Sequence, residues 1–155
     1  MSTHVQQAVD LWNGRFNCAQ SVFAAYAPAL GLEQDAAVRV AAGFGGGIAR
    51  TGRLCGALAG AIMAIGLRHG SADGTDGAAK MRVYELSNKA MKAFAARCGS
   101  VECRDLLGVD LSTSDGQAAA KAPQTFSKCP GFVRAAAEVL EEVLGPGWNT
   151  TYQSR

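Results

Sequence analysis

No CxxC pair, no CxxCH and only two histidines occur in these 155 residues. The missing CxxC argues against a thioredoxin-type dithiol, and the missing CxxCH against covalent haem attachment. His4 lies near the start and His69 in a flexible connector. Both read as solvated surface residues, and no paired Cys/His spacing suggests a zinc finger. Charge of one sign is also missing: the formal net charge is +2. That is too small to point to nucleic acid, a membrane surface or acidic partners. Long apolar runs are scarce. The longest, Leu54 to Leu67, lies between Arg53 and Arg68. It is shorter than the roughly 20 residues that span a bilayer and reads as a buried core helix. MSTHVQQAVD has no basic region followed by an apolar run, so no signal peptide is expected and the expected location is cytoplasmic.

Apolar residues make up 48% of the chain, enough for a globular core in one helical domain over 1–155. Val5, Ala8, Val9 and Trp12 are spaced for one helix face. Asn13-Gly14 ends that helix. Asn17, with Gln20 three residues on, is a capping-box-like start to a second helix running through Val22, Phe23 and Tyr26 to Pro28. A short helix is expected from Glu33 to Ala42. A long one follows from Ala78 to Arg97, where Met81, Tyr84, Ala90, Met91 and Phe94 recur at helical spacing, and Cys98-Gly99-Ser100 ends it. Cys103 to Leu107 is a short turn, and Gly108 to Gln124 a polar segment. A last helix starts near Cys129-Pro130, with proline in its first turn, and stops at Gly145-Pro146-Gly147. No alternating strand pattern appears. The expected fold is all-α, a bundle of five to six helices.

The stretch Gly43 to Leu67, GFGGGIARTGRLCGALAGAIMAIGL, is the expected centre of that bundle. Its apolar part reads as a helix over Leu54 to Leu67. Gly56, Ala57, Ala59, Gly60 and Ala61 have so little bulk that another backbone can approach closely. Cys55 would fall in the first turn, where unpaired N–H groups and the helix dipole favour negative charge. A lowered thiol pKa is therefore expected there. Gly47 to Gly52 has the GxxxxG spacing of a phosphate loop but lacks the following Lys and Ser/Thr, and no strand precedes it. A dinucleotide GxGxxG fails because Arg50 stands where the third glycine should be. No nucleotide is expected. Arg50, Arg53 and nearby N–H groups are candidates for an anion site, against the plainer reading of a tight turn.

Five cysteines are present: Cys18, Cys55, Cys98, Cys103 and Cys129. Without an export signal, structural disulfides are not the default. Cys18, Cys55, Cys103 and Cys129 each fall at or near an expected helix start, which stabilises thiolates, whereas Cys98 falls at a helix end.

An ordered set of motifs runs through the chain. It comprises Phe16-Asn17-Cys18-Ala19-Gln20, Gly45-Gly46-Gly47 with Arg50 and Gly52, Cys55-Gly56-Ala57-Leu58-Ala59-Gly60, Cys103-Arg104-Asp105-Leu106-Leu107-Gly108 and Cys129. This set resembles the C_GCAxxG_C_C family of small redox-active proteins, over about 16–144. The resemblance implies that Cys18, Cys55, Cys103 and Cys129 are the family's four cysteines and that Cys98 is an extra. It also implies kinship with a segment of split-Soret cytochromes that accompanies an iron–sulfur centre. The haem-binding part of those proteins has no counterpart here.

Three functional readings follow. In the first, four convergent cysteines make a redox site with an unknown redox partner. They either ligate an iron–sulfur cluster or another soft metal, or cycle between thiol and disulfide. In the disulfide version Cys55 is the attacking thiolate and Cys18 the other candidate catalytic thiol. In the second, the chain is a non-catalytic helical scaffold with structural buried cysteines, whose small-residue helix would serve a homodimer; sulfurs scattered beyond bonding range would favour it. In the third, Cys55 is an enzyme nucleophile. That reading has no base, because neither histidine is placed to serve and Glu85, Glu102 and Asp105 read as solvated or ion-paired.

Overall fold

The computed structural model describes residues 2–150. Eight α-helices occur among them: α1 (Thr3–Asn13), α2 (Cys18–Tyr26), α3 (Gln34–Val40), α4 (Gly56–His69), α5 (Gly77–Cys98), α6 (Cys103–Leu107), α7 (Ser114–Ala119) and α8 (Cys129–Leu144). Short 3-10 turns lie at Ala27–Leu30, Ala42–Phe44 and Pro123–Phe126. The expected all-α architecture is present. No strand occurs among the described residues, only an isolated antiparallel bridge between Leu54 and Glu102.

The helix count exceeds the five to six expected. Cys103 to Leu107, expected as a turn, is a short helix. The segment 108–124, read as a polar connector, contains α7 because its polar residues act as caps. The Asp110 carboxylate accepts from the Ser112 N–H at 2.9 Å, and the Thr113 hydroxyl accepts from the Gly116 N–H at 3.0 Å. Side chains of this kind satisfy the orphan donors that begin a helix. The histidines also differ from expectation. His69 is the last residue of α4. His4 packs against the rings of Tyr26 and Trp148, with centroids 5.4 and 4.9 Å away.

The core is shared between α2 and α4. In α2 every residue except Gln20 is buried. The two helices pack directly on each other, with α1 and α3 against α2, α5 against α4, and α8 across α1, α4 and α5. The small side chains of α4 make this approach possible. A Cβ added at Gly60 would meet the Ala19 carbonyl oxygen at 2.6 Å and the Phe23 nitrogen at 3.1 Å. Only glycine allows the α2 backbone so near. Leu58, Ile65, Phe94, Val133, Val139 and Leu140 then fill the interior around the pair. On the surface, Arg97 of α5 reaches Glu138 and Glu142 of α8. Exposed ion pairs of this kind orient the helices more than they stabilise them.

A candidate thiol site at four helix starts

Three of the four cysteines open a helix. Cys18 is the first residue of α2, Cys103 of α6 and Cys129 of α8. Cys55 holds the N-cap of α4, one position before the helix proper, because Leu54 is drawn into the bridge with Glu102. All four are buried, and all four line one cavity of about 680 Å³.

Local structure explains how each arrives. Asn17 and Gln20 form the expected capping box: the Asn17 oxygen accepts from the Gln20 N–H at 2.9 Å, and the Gln20 oxygen accepts from the Asn17 N–H at 3.0 Å. The Asn17 amide also donates to the Ala42 carbonyl at 3.0 Å, and that of Gln20 to the Val38 carbonyl at 3.0 Å. Cys18 is therefore fixed to α3 and the turn that follows it. Cys55 and Cys103 are brought together by two chain segments that pair just before their helices begin. The Cys55 N–H donates to the Val101 carbonyl at 2.8 Å, the Cys103 N–H to Arg53 at 2.6 Å and the Arg104 N–H to Gly52 at 3.1 Å. Cys129 enters on α8 with Pro130 behind it.

The glycine stretch before Cys55 adopts no helix of ordinary hand. Gly46, Gly47, Ile48, Ala49 and Arg50 all have φ between +50° and +71°. Wide bonds hold this left-handed coil: the N–H of Ala49 to the carbonyl of Gly43, of Gly52 to Gly46 and of Arg53 to Gly47. Non-glycine residues held this way cost about 1–2 kcal/mol each. Gly47 has a second reason to be glycine, since a Cβ there would lie 2.6 Å from the Cys103 Cβ. The coil belongs to the site: Gly45, Gly46, Ala49 and Arg50 line the thiol cavity. Such strain concentrates at functional sites.

Electrostatics overturn one expectation. The Cys55 thiol was expected to be acidified by its helix. Instead burial pushes it up to about 11, although the N–H groups of Leu58 and Ala57 pull the other way. Burial first, and then the neighbouring cysteines, push Cys103 up to about 12. Removing a thiolate from water costs more here than the helix start returns. Cys18 and Cys129 share a hydrogen bond, which is the main cause holding the Cys18 thiol well above its usual value. The same bond lowers Cys129. The two partners are therefore shifted in opposite directions, Cys18 upward and Cys129 downward from the ordinary thiol.

Cys98 does not line the cavity. It is half-buried at the end of α5, and its thiol is raised by burial. Of the two candidate anion-binding arginines, Arg50 lines the cavity and Arg53 does not. Arg53 is exposed, and its carbonyl is used in the clasp to Cys103. Residues that sequence reasoning missed also surround the thiols. Arg15 stands with Arg50 at the cavity, and Trp12, Phe16, Phe126 and Phe132 leave half-buried rings along its walls. The only hint of Arg15 in the sequence was its place after Asn13-Gly14. Among the described residues, no group of three or more His, Cys, Asp or Glu is arranged to hold a metal ion. Nor is any helix there long and apolar enough to cross a membrane.

The arrangement defines an all-helical protein with four free thiols gathered at helix starts around one cavity. The C_GCAxxG_C_C family, whose description is "Putative redox-active protein (C_GCAxxG_C_C)", matches residues 16–143, most of the chain. The chain belongs to this family. A 63-residue segment is 41% identical to a protein of Archaeoglobus fulgidus described as "Uncharacterized protein". That segment is 40% of this chain and 42% of the relative, so the similarity spans less than half of either. No solved structure matches the chain.

Proposed function

We propose that Cys18, Cys55, Cys103 and Cys129 act as one redox centre, as ligands of an iron–sulfur cluster. The observation that carries the reading is the gathering of four thiols, each from a separate segment, on the wall of one cavity. The scaffold alternative needs scattered sulfurs. Here all four cysteines line one cavity, and Cys129, Cys55 and Cys103 all raise the Cys18 thiol.

The donor set suits the group: four soft sulfurs, with no carboxylate or imidazole among the cavity residues. A single tetrahedral ion suits the site less well. Sulfurs about 2.3 Å from one ion stand about 3.8 Å from each other, and no such group occurs among the described residues. When bound, an iron–sulfur cluster would supply one-electron chemistry at a potential set by burial and by hydrogen bonds to sulfur. The chain's own residues supply four buried sulfurs on the wall of one cavity and a left-handed coil that forms part of its lining. They also supply thiols whose protons must leave before a metal binds.

A second reading is thiol–disulfide exchange at the Cys18–Cys129 pair, which is adjacent enough for each to shift the other's pKa. One of the two, as thiolate, attacks a disulfide of the redox partner and releases one partner thiol; the other cysteine then displaces the second partner thiol, so the pair closes its disulfide and the partner's disulfide is reduced.

The deciding experiment is anaerobic purification, followed by a visible spectrum with iron, sulfide and zinc analysis on one sample. Iron and sulfide in stoichiometric amounts, lost on changing any of the four cysteines to serine, are expected. Metal-free protein whose thiol count changes reversibly by two would replace the cluster with the disulfide pair. Metal-free protein with inert thiols would remove both.

A further inference from the structure

Around the thiols, the cavity has a chemical character that neither a cluster nor a disulfide requires. Four aromatic side chains, Trp12, Phe16, Phe126 and Phe132, line it and are only half-buried, whereas Phe23 and Phe94 elsewhere are fully packed. Two arginines, Arg15 and Arg50, stand exposed at its mouth. No Asp, Glu, Lys or His lines the cavity. Neither arginine forms an ion pair among the described residues. The mouth is therefore cationic and uncompensated.

Both arginines also sit where arginine is a poor choice. Arg15 has φ +77° and Arg50 φ +60°, two of the four non-glycine residues in the left-handed region among the described residues. Glycine would relieve about 1–2 kcal/mol at each. Both residues line the same cavity, and backbone strain of this kind concentrates at functional sites.

We propose that this cavity binds a planar aromatic anion, with its charged group on Arg15 and Arg50 and its ring among the four aromatic walls. The size fits: about 680 Å³ lies within the range of small-molecule sites. A lone inorganic anion would fill a small fraction of it and leave the aromatic walls unused. Arginine's planar fork matches a carboxylate, sulfonate or phosphate group. The ring would lie beside Cys18, Cys55, Cys103 and Cys129. This names the chemical class of the centre's small-molecule partner and rests on the redox reading only for what that partner does once bound.

Calorimetry on the full chain, purified anaerobically, separates the contributions. 2-Naphthalenesulfonate carries ring and charge, 2-naphthalenesulfonamide the ring alone, and methanesulfonate the charge alone. The first is expected to bind one to one and to weaken as salt is raised. The other two should be at least about tenfold weaker. Arg15→Gln and Arg50→Gln should each weaken the sulfonate about tenfold, leaving the sulfonamide and the melting temperature unchanged. Equal binding of the sulfonamide would make the cavity a plain apolar cleft. Equal binding of methanesulfonate would make it a simple anion site. Wild-type affinity in both arginine variants, or a second copy closing the cavity in sedimentation, would also overturn the proposal. Iron, sulfide and thiol assays on the same sample keep the two readings apart. Failed binding with an intact centre removes only this inference, and binding beside inert, metal-free thiols removes the redox reading instead.

Discussion

Substituting alanine at two glycines of α4 should shift stability in opposite directions. In a helix interior, glycine to alanine gains about 1 kcal/mol from propensity alone. At Gly66 nothing lies within 4 Å of an added Cβ, so Gly66→Ala should be neutral or stabilise by up to about 1 kcal/mol. At Gly60 the added Cβ would lie 2.6 Å from the Ala19 oxygen, 3.1 Å from the Phe23 nitrogen and 3.2 Å from the Val22 Cβ. Two of these are backbone atoms of α2, so no side chain can rotate away. An ordinary contact begins near 3.4 Å, so α2 and α4 must separate by several tenths of an ångström. Overpacking of this kind costs about 1–3 kcal/mol. Set against the propensity gain, Gly60→Ala should lose up to about 2 kcal/mol, or up to about 8 °C in melting temperature. Cys18 opens α2 and Cys55 caps α4, so the same substitution should disturb the thiol site. Urea unfolding of the reduced protein, with thiol alkylation rates alongside, measures both. If the two alanines stabilise equally, the close approach of α2 to α4 is wrong.

Three further outcomes follow from the site. Alkylation by iodoacetamide against pH, mapped by mass spectrometry, should label Cys129 at the lowest pH, with Cys55 and Cys103 resisting until about 11 and 12; labelling of Cys55 first would overturn the dominance of burial over the helix start. Those raised thiols also bind protons more tightly folded than unfolded, so they contribute stability that is complete below pH 9. Metal-free reduced protein should lose it as pH rises from about 9 through 11–12, on the order of 2–3 kcal/mol for Cys55 alone. A flat stability profile across that window, followed by denaturant midpoint, would refute it. Asn17→Ala removes a cap and the bond to the Ala42 carbonyl. It should cost about 1–2 kcal/mol and expose Cys18 to alkylation, whereas unchanged Cys18 protection would show that the cap does not position it.

Local chemistry was legible in the sequence. The capping box at Asn17 and Gln20, the proline start of α8 and the stops at Gly99 and Gly145 depend on neighbours a few residues away, and the chain alone states them. The small residues of α4 announced a close helix contact, because a bare backbone face has few other uses. The placement of four cysteines at or beside helix starts was readable for the same reason. What the sequence could not give was anything set by distant segments. Leu54 looked helical, and pairing with Glu102 moved the start of α4 past Cys55. Cys55 looked acidic from its own turn, and burial by the surrounding helices reversed the sign. Arg15 and Arg50 are 35 positions apart in the chain, and only folding places both at one cavity while leaving Arg53 outside it. Hydrogen-bonded turns and caps are local, so sequence determines them. Desolvation and charge depend on what packs from elsewhere, so the tertiary structure alone decided which cysteine is acidic and which arginines face the thiols.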